Sequence, residues 1–144
     1  GPGTVDLVAH SMGGIVSRLA LEDEDTRGRV RKVITLGTPH SGTHAARFLA
    51  TQSALALRPE SSLLERLDEQ LPWRGPPEWP EATTYWSRSD VILLPPEAAR
   101  LEGASSPEME GMTHYGYLLH PDGWRTVYET LHGTVTKPTV HTES

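Results

Sequence analysis

The stretch that decides the fold is Val5 to Gly14, VDLVAHSMGG. Val5, Leu7 and Val8 read as a buried strand, and Ile15, Val16, Leu19 and Ala20 then recur at helical spacing. A strand therefore becomes a helix within a few residues, through a turn too tight for large side chains beside Ser11. Ala9, Gly13 and Gly14 supply the small ones. Such a turn leaves the Ser11 hydroxyl standing proud of the sheet. It also sets that hydroxyl at the start of a helix, whose unpaired N–H groups and positive dipole end favour an anionic oxygen. Ser11 is the expected nucleophile and the Met12 N–H the expected oxyanion donor. The usual pattern is GxSxG, and here Ala9 occupies the first small position. The plainer reading is a serine N-cap with glycines for close packing, which any strand-to-helix junction can carry.

A serine hydroxyl is a poor nucleophile until a histidine takes its proton, and that histidine must be oriented by a carboxylate. Downstream, Ala82 to Ser89 (ATTYWSRS) is rich in Thr, Tyr and Trp and reads as a strand, with Asp90 just past its end. A further strand is expected over Ser106 to Met112, followed by a loop that holds His114. Both residues then follow the carboxyl ends of strands, where doubly wound sheets gather functional groups. Ser11, Asp90 and His114, 79 and 24 positions apart, would converge on one edge. Asp90 also suits a turn or a helix cap. Its rivals are Glu97, in an expected helix over Pro95 to Leu101, Glu102, and the pair Glu108 and Glu110, which alternates along an expected strand and so reads as solvent-facing. Among the other histidines, His40 and His44 are four apart but lack a third metal ligand at recognisable spacing. No metal site follows.

Four segments carry a resemblance: AHSMGG, LGTPHSGT at Leu36 to Thr43, SRSDVILLPPEAARLEG from Ser87, and GMTHYGYLLHP from Gly111. Together they resemble the small bacterial lipases and esterases of the α/β-hydrolase superfamily, of the class 2 triacylglycerol lipase type, from Thr4 to about Leu131. The resemblance implies Ser11 as nucleophile, Asp90 as acid and His114 as base, in the chain order Ser, acid, His. His10 precedes Ser11 and so has the wrong order for the base. The implied reaction is hydrolysis of carboxylic esters, lipid or acylglycerol esters foremost, through an acyl-enzyme and without a cofactor. A small or lipid ester substrate, transient contact with a lipid interface and an extracellular location belong to the same expectation. The scaffold also hosts other chemistry. Two readings therefore stay open beside hydrolysis: an acyltransferase or glycolipid deacylase using the same triad, and an inactive fragment or binding module.

Composition narrows the field. With 13 basic against 19 acidic residues the net charge is −6, which disfavours a phosphate-binding surface and hence nucleic acid. There is no cysteine, so neither a disulfide framework nor a thiolate zinc site is possible. No apolar run approaches the ~20 residues that cross a bilayer, and no charged-then-apolar leader is present.

The 144 residues can hold one core. The expected fold is α/β, a mainly parallel sheet with flanking helices, lacking the strands that precede the nucleophile turn in an α/β-hydrolase. Strands are expected at Thr4 to Ala9, Arg31 to Leu36, Ala82 to Ser89 and Ser106 to Met112. Helices are expected at Met12 to Asp23, Thr43 to Leu57, Ser61 to Leu71 and Asp122 to His132. Residues 1–132 then form the C-terminal portion of the domain, with a cap-like insertion over about 43–81, and 133–144 a disordered polar tail. The loop that would supply a second oxyanion donor lies in the half not seen. Loss of one such donor costs about 2.7 to 4 kcal/mol of transition-state stabilisation. Trp73 and Trp79, among prolines, are candidates for lining the substrate pocket, as are His10 beside Ser11 and His40 in the loop at its mouth.

Overall fold

The computed structural model describes residues 3–48, 51–69 and 79–133. Strands β1 (Val5–His10), β2 (Val30–Leu36) and β3 (Glu81–Tyr85) form a parallel sheet in that order. Helices α1 (Met12–Ala20) and α2 (Glu24–Arg27) lead from β1 to β2. Helices α3 (Gln52–Ala56) and α4 (Ser62–Glu69) lie between β2 and β3, and α5 (Gly116–Leu119) and α6 (Pro121–Leu131) come last. The expected parallel sheet with flanking helices is present.

β2 is the middle strand, and its run Val33–Leu36, apolar but for Thr35, is buried throughout, as a strand covered on both faces must be. Ile34 and Leu36 pack with Tyr85, Met109, Met112 and Tyr117, and Val127 and Leu131 of α6 close over them. Val33, in register with Leu7 and Ala82, packs with Leu21 at the end of α1. Ile15 and Leu19 of α1 meet Leu64 and Leu67 of α4, so α4 rests on α1. All three strands point their carboxyl ends the same way, and the loops that follow them share one edge.

The expected fourth strand is not regular. The chain touches β3 through isolated parallel bridges, Thr83 with Ser105 and Trp86 with Glu108. Thr84 N and Met109 N donate to Ser105 O and Trp86 O, both at 2.7 Å. Pro107, between the two bridges, has no N–H to continue a ladder. β3 ends at Tyr85 rather than Ser89, because the chain turns there and Asp90 N donates to Ser87 O at 3.1 Å. α1 stops at Ala20, and Asp23 caps α2 instead, its carboxylate accepting from Thr26 N at 2.8 Å. The single helix expected over Thr43 to Leu57 is a 3-10 turn at His44–Phe48 and the short α3, whose cap is Thr51. Trp73, the end of the helix expected to Leu71, and the tail beyond Gly133 lie outside the described residues. No helix among the described residues is long and apolar enough to cross a membrane.

Candidate active site

Ser11 joins β1 to α1 with φ 53° and ψ −126°, the one non-glycine residue of positive φ among the described residues. A side chain resists that backbone, at a cost of order 1–3 kcal/mol. The turn is held by Ser11 N donating to Leu36 O and Gly14 N donating to Ser11 O, both at 3.0 Å. A Cβ on Gly14 would run into the side chain of Thr38, so glycine is what lets α1 approach the loop after β2. The Ser11 hydroxyl makes no cap bond to α1. Its Oγ lies instead 3.1 Å from His114 Nε2.

His114 Nδ1 donates in turn to Asp90 Oδ2 at 2.8 Å. The other carboxylate oxygen, Oδ1, accepts from Ile92 N at 3.1 Å and Leu93 N at 3.3 Å. Asp90 is 0% exposed and His114 5%. His10 Nε2 donates to the His114 carbonyl at 2.6 Å, with the two ring centroids 4.7 Å apart. The structure thus brings Ser11, Asp90 and His114 into one hydrogen-bonded line at the carboxyl edge of the sheet. The rival acids stand elsewhere. Glu108 faces Arg88 at 3.6 Å, and Glu97 and Glu102 border a separate polar hollow with Ser41 and Arg100.

Gly37 at the end of β2 was not singled out in the sequence, yet it sits against this line. At its φ of 56° an added Cβ would lie 2.8 Å from the Tyr117 ring, 2.9 Å from Asp90 Oδ2 and 3.3 Å from His114 Nδ1. The signal was a glycine directly after a buried strand, in LGTP.

Comparison with known proteins agrees with this topology. The sequence family described as a PGAP1-like alpha/beta domain matches residues 1–56. Among solved structures, the mature lipase BlEst2 of Bacillus licheniformis superposes with TM-score 0.71 at 19% identity, over 92% of this chain and 66% of that one. MGS-MChE2, an alpha/beta hydrolase enzyme from a lagoon-sediment metagenome of Mar Chica, Morocco, gives 0.58 at 19% identity, over 91% and 62%. The esterase domain of a Rhodothermus marinus protein gives 0.56 at 23% identity, over 89% and 57%. This is the α/β-hydrolase fold. The chain spans less than two thirds of the length of each of these relatives.

Within that α/β-hydrolase frame, a cavity of about 230 Å3 opens beside Ser11 and Met12, walled by Ala46, Ala54, Leu57, Ile92 and Leu93 among others. Of the four residues expected at a pocket from sequence, His10, His40 and Trp79 are not among the described residues that line it. His10 instead holds the His114 backbone, and burial lowers its pKa below the ordinary value. His40 is 1% exposed behind the site, with Nε2 3.0 Å from Thr35 Oγ1 and Nδ1 3.4 Å from Arg18 Nη1. Burial, and then the Arg18 charge, push its pKa down to about 3, so it stays neutral. Trp79 packs near Leu21, Val33 and Ala82 at the opposite, amino-terminal side of β3, with Arg27 stacked 4.4 Å above its ring. Trp73 lies outside the described residues. Among the described residues no group of three or more His, Asp or Glu side chains could hold a metal ion.

Proposed function

We propose that this chain carries the reaction centre of a serine hydrolase that cleaves carboxylic esters, lipid or acylglycerol esters among them. The single observation that supports it most is the line Ser11 Oγ, His114 Nε2, Asp90 Oδ2, at 3.1 and 2.8 Å. With Nδ1–H given to Asp90, His114 presents the Nε2 lone pair to the Ser11 hydroxyl. Ser11 Oγ attacks the ester carbonyl carbon, its proton passes to Nε2, and the carbonyl electron pair moves onto oxygen. The Met12 N–H, at the start of α1, is the proposed donor to that oxyanion. Collapse breaks the bond to the alcohol oxygen, which takes the proton from Nε2. Water then attacks the acyl-enzyme with His114 again as base, releasing the acid and restoring Ser11. Asp90 keeps the tautomer and stabilises the imidazolium.

The test is labelling with an ethoxy methylphosphonofluoridate, read by intact mass and peptide map, beside Ser11→Ala. A single adduct on Ser11, absent from the variant, is the expected outcome. No adduct, or one that persists in the variant, overturns the reading.

A further inference from the structure

The cavity beside Ser11 touches Ser11 and Met12 but not His114. That asymmetry assigns its role. The leaving alcohol must lie where the histidine can hand it a proton, so the acyl group must lie on the other side of the serine. We infer that this cavity is the acyl site, and that it takes a straight, medium-length acyl chain. The inference rests on the proposed hydrolase centre and names its substrate class.

Size sets the length. An apolar cavity of about 150 Å3 holds one benzene, six carbons, so about 230 Å3 holds a chain of about nine. The walls suit an unbranched apolar chain. Ala46 and Ala54 leave the space open, and Leu57, Ile92 and Leu93 face it with hydrocarbon. One wall is also pinned from two sides. Asp90 Oδ1 accepts from Ile92 N and Leu93 N. Thr43 Oγ1 accepts from Leu94 N at 2.9 Å and donates to Ile92 O at 3.2 Å. A wall held this way is pre-organised rather than shaped by the chain that enters. The carboxylate that orients His114 thereby also places the acyl wall.

Two probe series test this on the full chain. In the first, straight-chain acids from acetic to dodecanoic are esterified to one alcohol, methanol. In the second, acetic acid is esterified to straight-chain alcohols from methanol to dodecanol. In each, Ser11 Oγ bonds to the carbonyl carbon, the alcohol leaves with the proton that His114 Nε2 took from the hydroxyl, and water then releases the acid. The rate of hydrolysis is read as kcat/KM. In the first series the rate should rise by up to about fourfold per methylene and stop rising near eight or nine carbons. The second series should stay flat. Ala54→Leu should bring the break in by about three carbons. Ile92→Ala, at a half-exposed wall, should weaken the gain per methylene while the buried side chains keep their places. A flat first series, a rate still climbing at dodecyl, or length dependence in the second series would each overturn the assignment while leaving the serine centre standing. No hydrolysis of any ester, together with no adduct on Ser11 in the labelling experiment above, would remove the serine centre itself, and this inference with it.

Discussion

His40 offers the sharpest quantitative test of the architecture behind the elbow. It is neutral in the fold, with Nε2–H donating to Thr35 on β2 and Nδ1 accepting from Arg18 on α1. Protonation would aim a second N–H at the guanidinium, charge against charge, in a site buried from solvent. Its folded pKa of about 3 lies below the ordinary 6.5. Below about pH 6.5 the unfolded chain therefore binds a proton that the folded chain refuses, so this contribution to stability is complete above that pH and falls as pH drops. Between about pH 7 and about pH 5 the loss is about 2 kcal/mol, at about 1.4 kcal/mol per pH unit once the unfolded histidine titrates. His40→Gln removes the titration and keeps an amide to face Thr35. Its fixed packing cost is the same at both pH values and cancels. Urea denaturation of both proteins at the two pH values should show the wild type losing about 2 kcal/mol more than the variant. Equal losses would mean that His40 titrates normally, and would refute both its burial and its pairing with Arg18.

Two substitutions probe the site from its back and its side. Gly37→Ala places a methyl group against Asp90 Oδ2 and the Tyr117 ring at a backbone angle that resists it, and should slow labelling of Ser11 by about a hundredfold. A rate within about twofold of wild type would show that the loop after β2 does not set the Asp90–His114 geometry. Tyr117 is buried and its hydroxyl has no hydrogen-bond partner among the described residues. Burial, and then the nearby Asp90 and Glu108 charges, raise its pKa, so it stays protonated. Tyr117→Phe should therefore stabilise the fold by about 1 kcal/mol, a rise of a few degrees in Tm by thermal denaturation. A fall in Tm would reveal a partner for the hydroxyl.

What could be read from the sequence followed from how local the determinants are. The run Val5–Val8 and the helical spacing after Gly14 are contiguous, so the strand, the elbow and α1 were legible; the expected burial of that run was not met, because β1 ends the sheet among the described residues and leaves Val5 and Val8 exposed. β2 was legible for the same reason. Asp90 and His114 could be expected beside Ser11 because each follows a strand-like segment, even though both segments proved shorter or less regular than expected. Pro107 removes a ladder donor within Ser106 to Met112, so that segment meets β3 only through isolated bridges. The pocket residues fared worse, because which side of a loop faces a cavity is decided by distant packing. His40 looks like a polar loop residue until Thr35 and Arg18 enclose it. Trp79 looks like a pocket-lining residue until Arg27 and the Leu21 cluster take it to the other end of the sheet. Ala46 and Ala54 line the cavity through their smallness, which sequence periodicity reads only as a helix face.

The backbone at Ser11 bears on the proposal that its hydroxyl is the nucleophile. A junction arranged for stability alone would set the serine in extended backbone and let its hydroxyl cap the helix, for about 1 kcal/mol. Here that cap is forgone, and the residue adopts φ 53° at a further cost of order 1–3 kcal/mol. Two backbone hydrogen bonds across the turn offset part of this, at about 1 kcal/mol each. The rest must come from what surrounds the elbow: the Gly14 approach to Thr38, the buried run of β2, and His40 held between β2 and α1. All of that serves one geometric result, a hydroxyl pointed at His114 Nε2 rather than at its own helix. An inert junction gains nothing from such strain, whereas an attacking oxygen needs the position the strain provides.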